Sequence, residues 1–97
     1  MEKKLEEVFE EIDDFLTYMD EINPDAMYPT DFEDAIVGYT ERCGQPPLIL
    51  LDREKCIEIL MKDMDRDEAV EYFEYNVLGS WVGENTPLFM TKIVDVI

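Results

Sequence analysis

The sequence predicts an α+β fold: three or four helices packed on a small antiparallel sheet, with a long acidic helix at the N-terminus. Three observations point there. Residues 2–22 carry an unbroken three- and four-residue apolar repeat. After Ile36 the chain turns to β-favouring residues and then to a short apolar run, Leu48 to Leu51. Two helix-start signals come next, at Asp52 and at Asp65 with Glu68. The 97 residues make a single domain, 1–97, and 46% apolar content is enough for one modest core and too much for a disordered acidic tail.

The first element places Leu5, Val8, Phe9, Ile12, Phe15, Leu16 and Met19 within an arc of roughly 120°. The nine acids from Glu2 to Glu21 fall on the other side, and Asn23-Pro24 stops the helix. Thr30-Asp-Phe-Glu33 has the spacing of a capping box, so a short helix is expected after it with Phe32, Ala35 and Ile36 inward. Two continuations fit residues 37–42. Val37, Tyr39 and Thr40 favour a strand, while a helix running to Arg42 would use Gly44 as its C-cap. With the strand, Cys43-Gly44-Gln45 becomes the bend of a hairpin joining residues 37–42 to 47–51. Asp52 caps a helix whose inner face is Ile57, Leu60, Met61 and Met64. Asp65 with Glu68 opens the next, which buries Ala69, Val70, Phe73 and Val77 and ends at Gly79 or Gly83. Gly83 to Pro87 reads as a turn, Leu88-Phe89-Met90 as a last strand, and Ile93 to Ile97 as an apolar tail.

Charge separates the function classes. The chain has 25 acids, 8 bases and no His, for a net charge of −17. Direct binding to nucleic acid or to an anionic membrane needs a positive surface, and this chain has the opposite. Residues 1–34 hold 13 of the acids and 2 of the bases, residues 35–62 balance at 4 of each, and residues 63–97 hold 8 and 2. The middle reads as neutral scaffold and the two ends carry the field. Cys43 and Cys56, without a nearby His or a C-x-x-C spacing, read as reduced, partly buried thiols. No apolar signal core opens the sequence and no apolar run is long enough to span a bilayer, so a cytoplasmic protein is expected.

The segments Asp34-Ala35-Ile36-Val37-Gly38-Tyr39, Arg42-Cys43-Gly44 and Asp52-Arg53-Glu54-Lys55-Cys56-Ile57 form a recognisable pattern. With Glu71 to Val77 and Trp81 to Pro87, they resemble a group of small uncharacterised proteins encoded by tailed bacteriophages. The resemblance covers about residues 31–90, is most specific over 72–87, and omits the acidic N-terminal helix. It implies a phage or prophage source and a bacterial cytoplasm, and it transfers no catalytic residue.

Candidate chemistry is sparse. Asp63, Asp65, Asp67, Glu71 and Glu74 fall at positions 1, 3, 5, 9 and 12 of a calcium-loop spacing, the alternative reading being a calcium- or magnesium-binding module over residues 63–74. Glu68 stands where the sharp turn of such a loop needs glycine, and acids at a helix start suit the helix dipole without any metal. Neither thiol has a His partner, and phosphate-binding and nucleophile-elbow motifs are missing. The expectation is a non-enzymatic protein with no cofactor.

The N-terminal helix gives the sharpest physical clue. Nine acids over 19 rises of ~1.5 Å place one carboxylate per ~3 Å of axis, close to the ~3.4 Å phosphate spacing of one DNA strand. Such a face fits a basic nucleic-acid groove on another protein. Glu6, Glu10, Asp13 and Asp14 are the expected partner-binding acids, with Tyr75 as an outward aromatic. The expected partner is a basic host nucleic-acid-binding protein, with the chain as a nucleic-acid-mimic inhibitor. A phage accessory or assembly role is the plainer alternative.

Overall fold

The computed structural model describes residues 12–96. Helix α1 (Ile12–Ile22) buries Phe15 and Met19 and packs Ile12, Leu16 and Ile22 at the edge of the core. Its last turn closes where the Asn23 N–H donates to the Met19 carbonyl at 2.7 Å, and Pro24 permits no continuation. The expected stretch of this helix before Ile12, with Leu5, Val8, Phe9, Glu6 and Glu10, lies outside the described residues.

The Thr30–Glu33 capping box does not form. Asp31 takes a left-handed φ of 75°, which turns the chain away from the geometry that the Thr30 hydroxyl needs. In its place stands a single 3₁₀ turn, Glu33–Ala35, preceded by Phe32 with no side-chain cap. Phe32 and Ala35 are nonetheless buried and Ile36 half-buried, as the pattern predicted.

Strand, not helix, continues from there. β1 (Ile36–Arg42) and β2 (Gln45–Asp52) form an antiparallel hairpin about Cys43-Gly44, with Gly44 supplying the positive φ of the turn. In β2, Ile49 and Leu51 face the core while Leu48 and Leu50 are only half-buried, the period-two alternation of a strand with one covered face. Pro46 and Pro47 sit at the start of β2, where a missing donor costs the ladder least.

The sheet corrects the antiparallel expectation. β3 (Leu88–Met90) lies beside β2 and pairs with it in parallel, giving a mixed sheet of order β1-β2-β3. A parallel neighbour needs a long crossover, and residues 53–87 provide one by folding two helices between the strands. The first is α2 (Arg53–Leu60), capped by Asp52, whose carboxylate accepts from the Glu54 N–H at 3.1 Å. Cys56 and Ile57 are fully buried on it. Met61, expected inward, is 40% exposed because the helix has ended and its N–H closes the final turn.

The second is α3 (Arg66–Tyr72), which carries a complete capping box. The Glu68 N–H donates to Asp65 at 2.9 Å and the Asp65 N–H donates to Glu68 at 3.4 Å. The chain runs on without a break as a π-helix, Phe73–Leu78, and stops at Gly79. A Cβ at Gly79 would lie 2.9 Å from the carbonyl oxygens of Glu74 and Tyr75, so only glycine fits the end of this wide turn. Ala69, Phe73 and Val77 are buried and Val70 half-buried. Phe73 meets Phe89 of β3 edge-on at 5.2 Å, which locks the helical layer to the sheet. Cys56 is inert: burial, with the Asp52 charge adding, pushes its thiol up to about 12. Cys43, expected partly buried, is exposed at the hairpin turn because both its neighbours face solvent. Among the described residues no helix is long and apolar enough to cross a membrane.

Candidate interaction surface

Each cation with an ion pair is committed to the middle of the chain or to its helical layer. Arg66 holds Glu54 through two bonds of 2.6 and 3.0 Å, Arg53 holds Glu74 at 2.9 Å, and Lys92 reaches the buried Asp52 at 3.2 Å. Lys55 approaches Glu58 at 3.9 Å. The paired groups feel each other. The hydrogen bond from Arg66 lowers the Glu54 carboxyl below its usual range, and the bond to Asp52 raises the Lys92 ammonium above its own. Arg53 also lies over the Phe73 ring, 5.4 Å from its centroid.

The acids of α1 are outside this network. Asp13, Asp14, Asp20 and Glu21 are exposed and form no ion pair among the described residues. They fall as two adjacent couples seven positions apart, two helical turns or ~10.5 Å along one face. Residues 12–35 contain eight carboxylates and no Lys or Arg. Of the predicted partner-binding residues, Asp13 and Asp14 therefore share the expected outer face, while Glu6 and Glu10 lie outside the described residues. Tyr75 is 77% exposed on the π-helix, on a different element from α1. Trp81 is 75% exposed beyond Gly79 and Tyr72 is half-exposed. Tyr39, by contrast, packs among aromatic rings, 5.8 Å from Tyr18 and 6.3 Å from Phe15. The Tyr18 hydrogen bond raises its phenol above the usual value.

The calcium-loop spacing does not bring its carboxylates together as a cluster. Asp65 spends an oxygen on the Glu68 N–H, and Glu74 is tied to Arg53. Among the described residues, no group of three or more Asp, Glu or Cys side chains is placed to hold a metal. Residues 63–74 instead begin a helix, with Asp67 and Glu68 in its first turn.

One functional candidate was not visible in the pattern of residues. Asn23 is buried at the end of α1, and its side-chain amide donates to the Pro47 carbonyl at 2.8 Å and to the Asn85 side chain at 3.0 Å. The Asn23 Oδ1 accepts from the Asp25 N–H at 3.2 Å, and the Met27 N–H donates to the Asn85 carbonyl at 3.3 Å. The two bonds to Asn85 fasten the connector after α1 to the loop before β3, sixty-two positions from Asn23, and the bond to Pro47 ties it to β2. An apolar groove of about 270 Å³ opens between the two segments. The only signal in the sequence was an Asn before a Pro, which also marks any helix stop. No protein-family model, curated protein or solved structure matches this chain.

Proposed function

We propose that this chain is a small, acidic, non-enzymatic protein of the bacteriophage type that binds a basic surface of a host or phage protein in a bacterial cytoplasm. Its sharpest form is a nucleic-acid mimic that occupies the groove of a host nucleic-acid-binding protein and inhibits it. The observation that carries the reading is the partition of charge. Four cations of the described residues neutralise Asp52, Glu54, Glu58 and Glu74, while the four exposed acids of α1 keep their field. Exposed carboxylates are cheap to keep solvated, and an uncompensated row of them attracts cations over about a Debye length, ~10 Å at 0.1 M salt. The phage resemblance supports the setting, since it supplies a bacterial host as the place of action.

A metal-binding module at residues 63–74 draws less support, because Asp65, Glu68 and Glu74 already have partners within the fold. Affinity capture from a bacterial lysate at low salt, with elution in a salt gradient, tests the proposal. A basic nucleic-acid-binding protein released between about 0.2 and 0.5 M NaCl is expected, because screened attraction fades over that range. Retention that is indifferent to salt, or capture of only acidic proteins, would refute it.

A further inference from the structure

The groove between the connector and the pre-β3 loop is built, not incidental. Buried Val77 lies at its base with half-buried Phe89, and Met27, Pro29, Val82 and Pro87 form its walls. The Asn23–Asn85 and Met27–Asn85 hydrogen bonds hold the two walls at a fixed separation. At about 270 Å³ it falls below the ~300–1,000 Å³ of pockets that enclose drug-sized molecules, and suits one large side chain. Its rim is open to solvent: Met27 and Val82 are 42% and 53% exposed, an arrangement water does not reward.

Both walls come from cation-free parts of the chain. Residues 5–41 and residues 67–91 contain no Lys or Arg. Asp25 stands between Asn23 and Met27, Glu84 comes after Val82 and Gly83, and both are exposed and without an ion pair among the described residues. An apolar slot whose walls belong to segments with exposed acids and no cation complements an apolar side chain inside a cationic sequence. A second copy of this chain is the wrong occupant, since each brings a charge of −17.

Resting on the acidic-surface reading above, we infer that this groove takes the anchor of that partner: a peptide segment with one large aliphatic or aromatic residue flanked by Lys and Arg. The acids attract the segment and the groove fixes its register, so the groove supplies the selectivity that a charge field lacks.

The test is amide NMR titration of the full chain with three synthetic nine-residue peptides. One has a central Leu in a Lys/Arg frame, the second has Ser for that Leu, and the third keeps the Leu in a Glu frame. The expected result is saturable shifts at Met27, Val82 and Phe89 with the first peptide, at least tenfold weaker affinity for the second, and no saturation with the third. Val82→Lys, at an exposed rim position, should abolish binding of the first peptide without changing the melting temperature. Equal affinity for the Leu and Ser peptides, with shifts confined to residues 12–22, would overturn the groove and leave the acidic surface standing. No salt-sensitive binding by either basic peptide up to millimolar concentration would overturn both. Shifts at the groove that depend on protein concentration and not on peptide would overturn the inference in favour of self-association.

Discussion

Replacing Asn23 with alanine should destabilise the protein by about 2–4 kcal/mol. The side chain is 8% exposed and makes three hydrogen bonds: to the Pro47 carbonyl at 2.8 Å, to Asn85 at 3.0 Å and from the Asp25 N–H at 3.2 Å. Each contributes a net ~0.5–1.5 kcal/mol, and a buried acceptor left without a donor adds its own desolvation cost. In urea, with a slope of ~1 kcal/mol per molar for a chain of this size, the midpoint should fall by about 2–4 M. Asn85→Ala removes only the shared bond and should cost ~1 kcal/mol, with a double-mutant coupling of similar size. Asn23→Asp keeps the volume but aims an oxygen at the Pro47 carbonyl, so it should cost at least as much as alanine. If Asn23→Ala changes stability by less than ~0.5 kcal/mol, the clip does not hold these segments and the groove loses its fixed walls.

Raising NaCl from about 20 mM to a few hundred millimolar should raise the melting temperature, since screening relieves repulsion among charges that sum to −17. A gain of ~1 kcal/mol would read as about 4–8 °C, and a flat or falling curve would contradict an uncompensated field. Asp65→Ala removes a capping box and should cost ~1 kcal/mol by denaturant titration. Gly79→Ala forces a Cβ to within 2.9 Å of two backbone oxygens and should cost about 1–3 kcal/mol, with Ser at that position no better. The Glu54–Arg66 bond holds the Glu54 carboxyl low in the folded state, so its stabilisation is present above the ordinary Glu range, near ~4.3, and is lost as pH falls through the folded value. The stability difference between wild type and Glu54→Gln should hold steady from pH 8 to about 5 and shrink below that.

Much of this fold was legible because its signals are local. The repeat over residues 2–22, the Asp52 cap and the Asp65–Glu68 box each act within four residues, and the structure has the two caps and, of the repeat, the helix Ile12–Ile22 that falls within the described residues. A hairpin of residues 37–42 and 47–51 was one of two readings open in the sequence, since β propensity and a glycine turn lie side by side, and the structure has it as Ile36–Arg42 paired with Gln45–Asp52. The misses had both long-range and local causes. β3 has three residues, and its direction is set by a thirty-five-residue crossover that no window can see. The Thr30 box failed because Asp31 adopts a left-handed conformation that sequence spacing does not forbid. Met61 kept the helical period but fell one residue past the end of α2. At the candidate surface, the acids of α1 were readable from charge and period alone. Asn23 was not, because its role depends on Pro47 and Asn85, twenty-four and sixty-two positions away.

Whether the anionic face takes the place of nucleic acid is best measured by competition. The protein captured from the lysate is bound to a fluorescent DNA duplex, or to RNA where that is its ligand, and titrated with this chain while anisotropy is monitored. Complete displacement, weakening steeply with salt, is expected, with a loss of at least tenfold when Asp13, Asp14, Asp20 and Glu21 are changed together to Asn and Gln. Those positions are exposed, so the variant should fold with stability changed by less than about 0.5 kcal/mol per site. A ternary complex in which nucleic acid and this chain bind together, or displacement unaffected by the four changes, would contradict it.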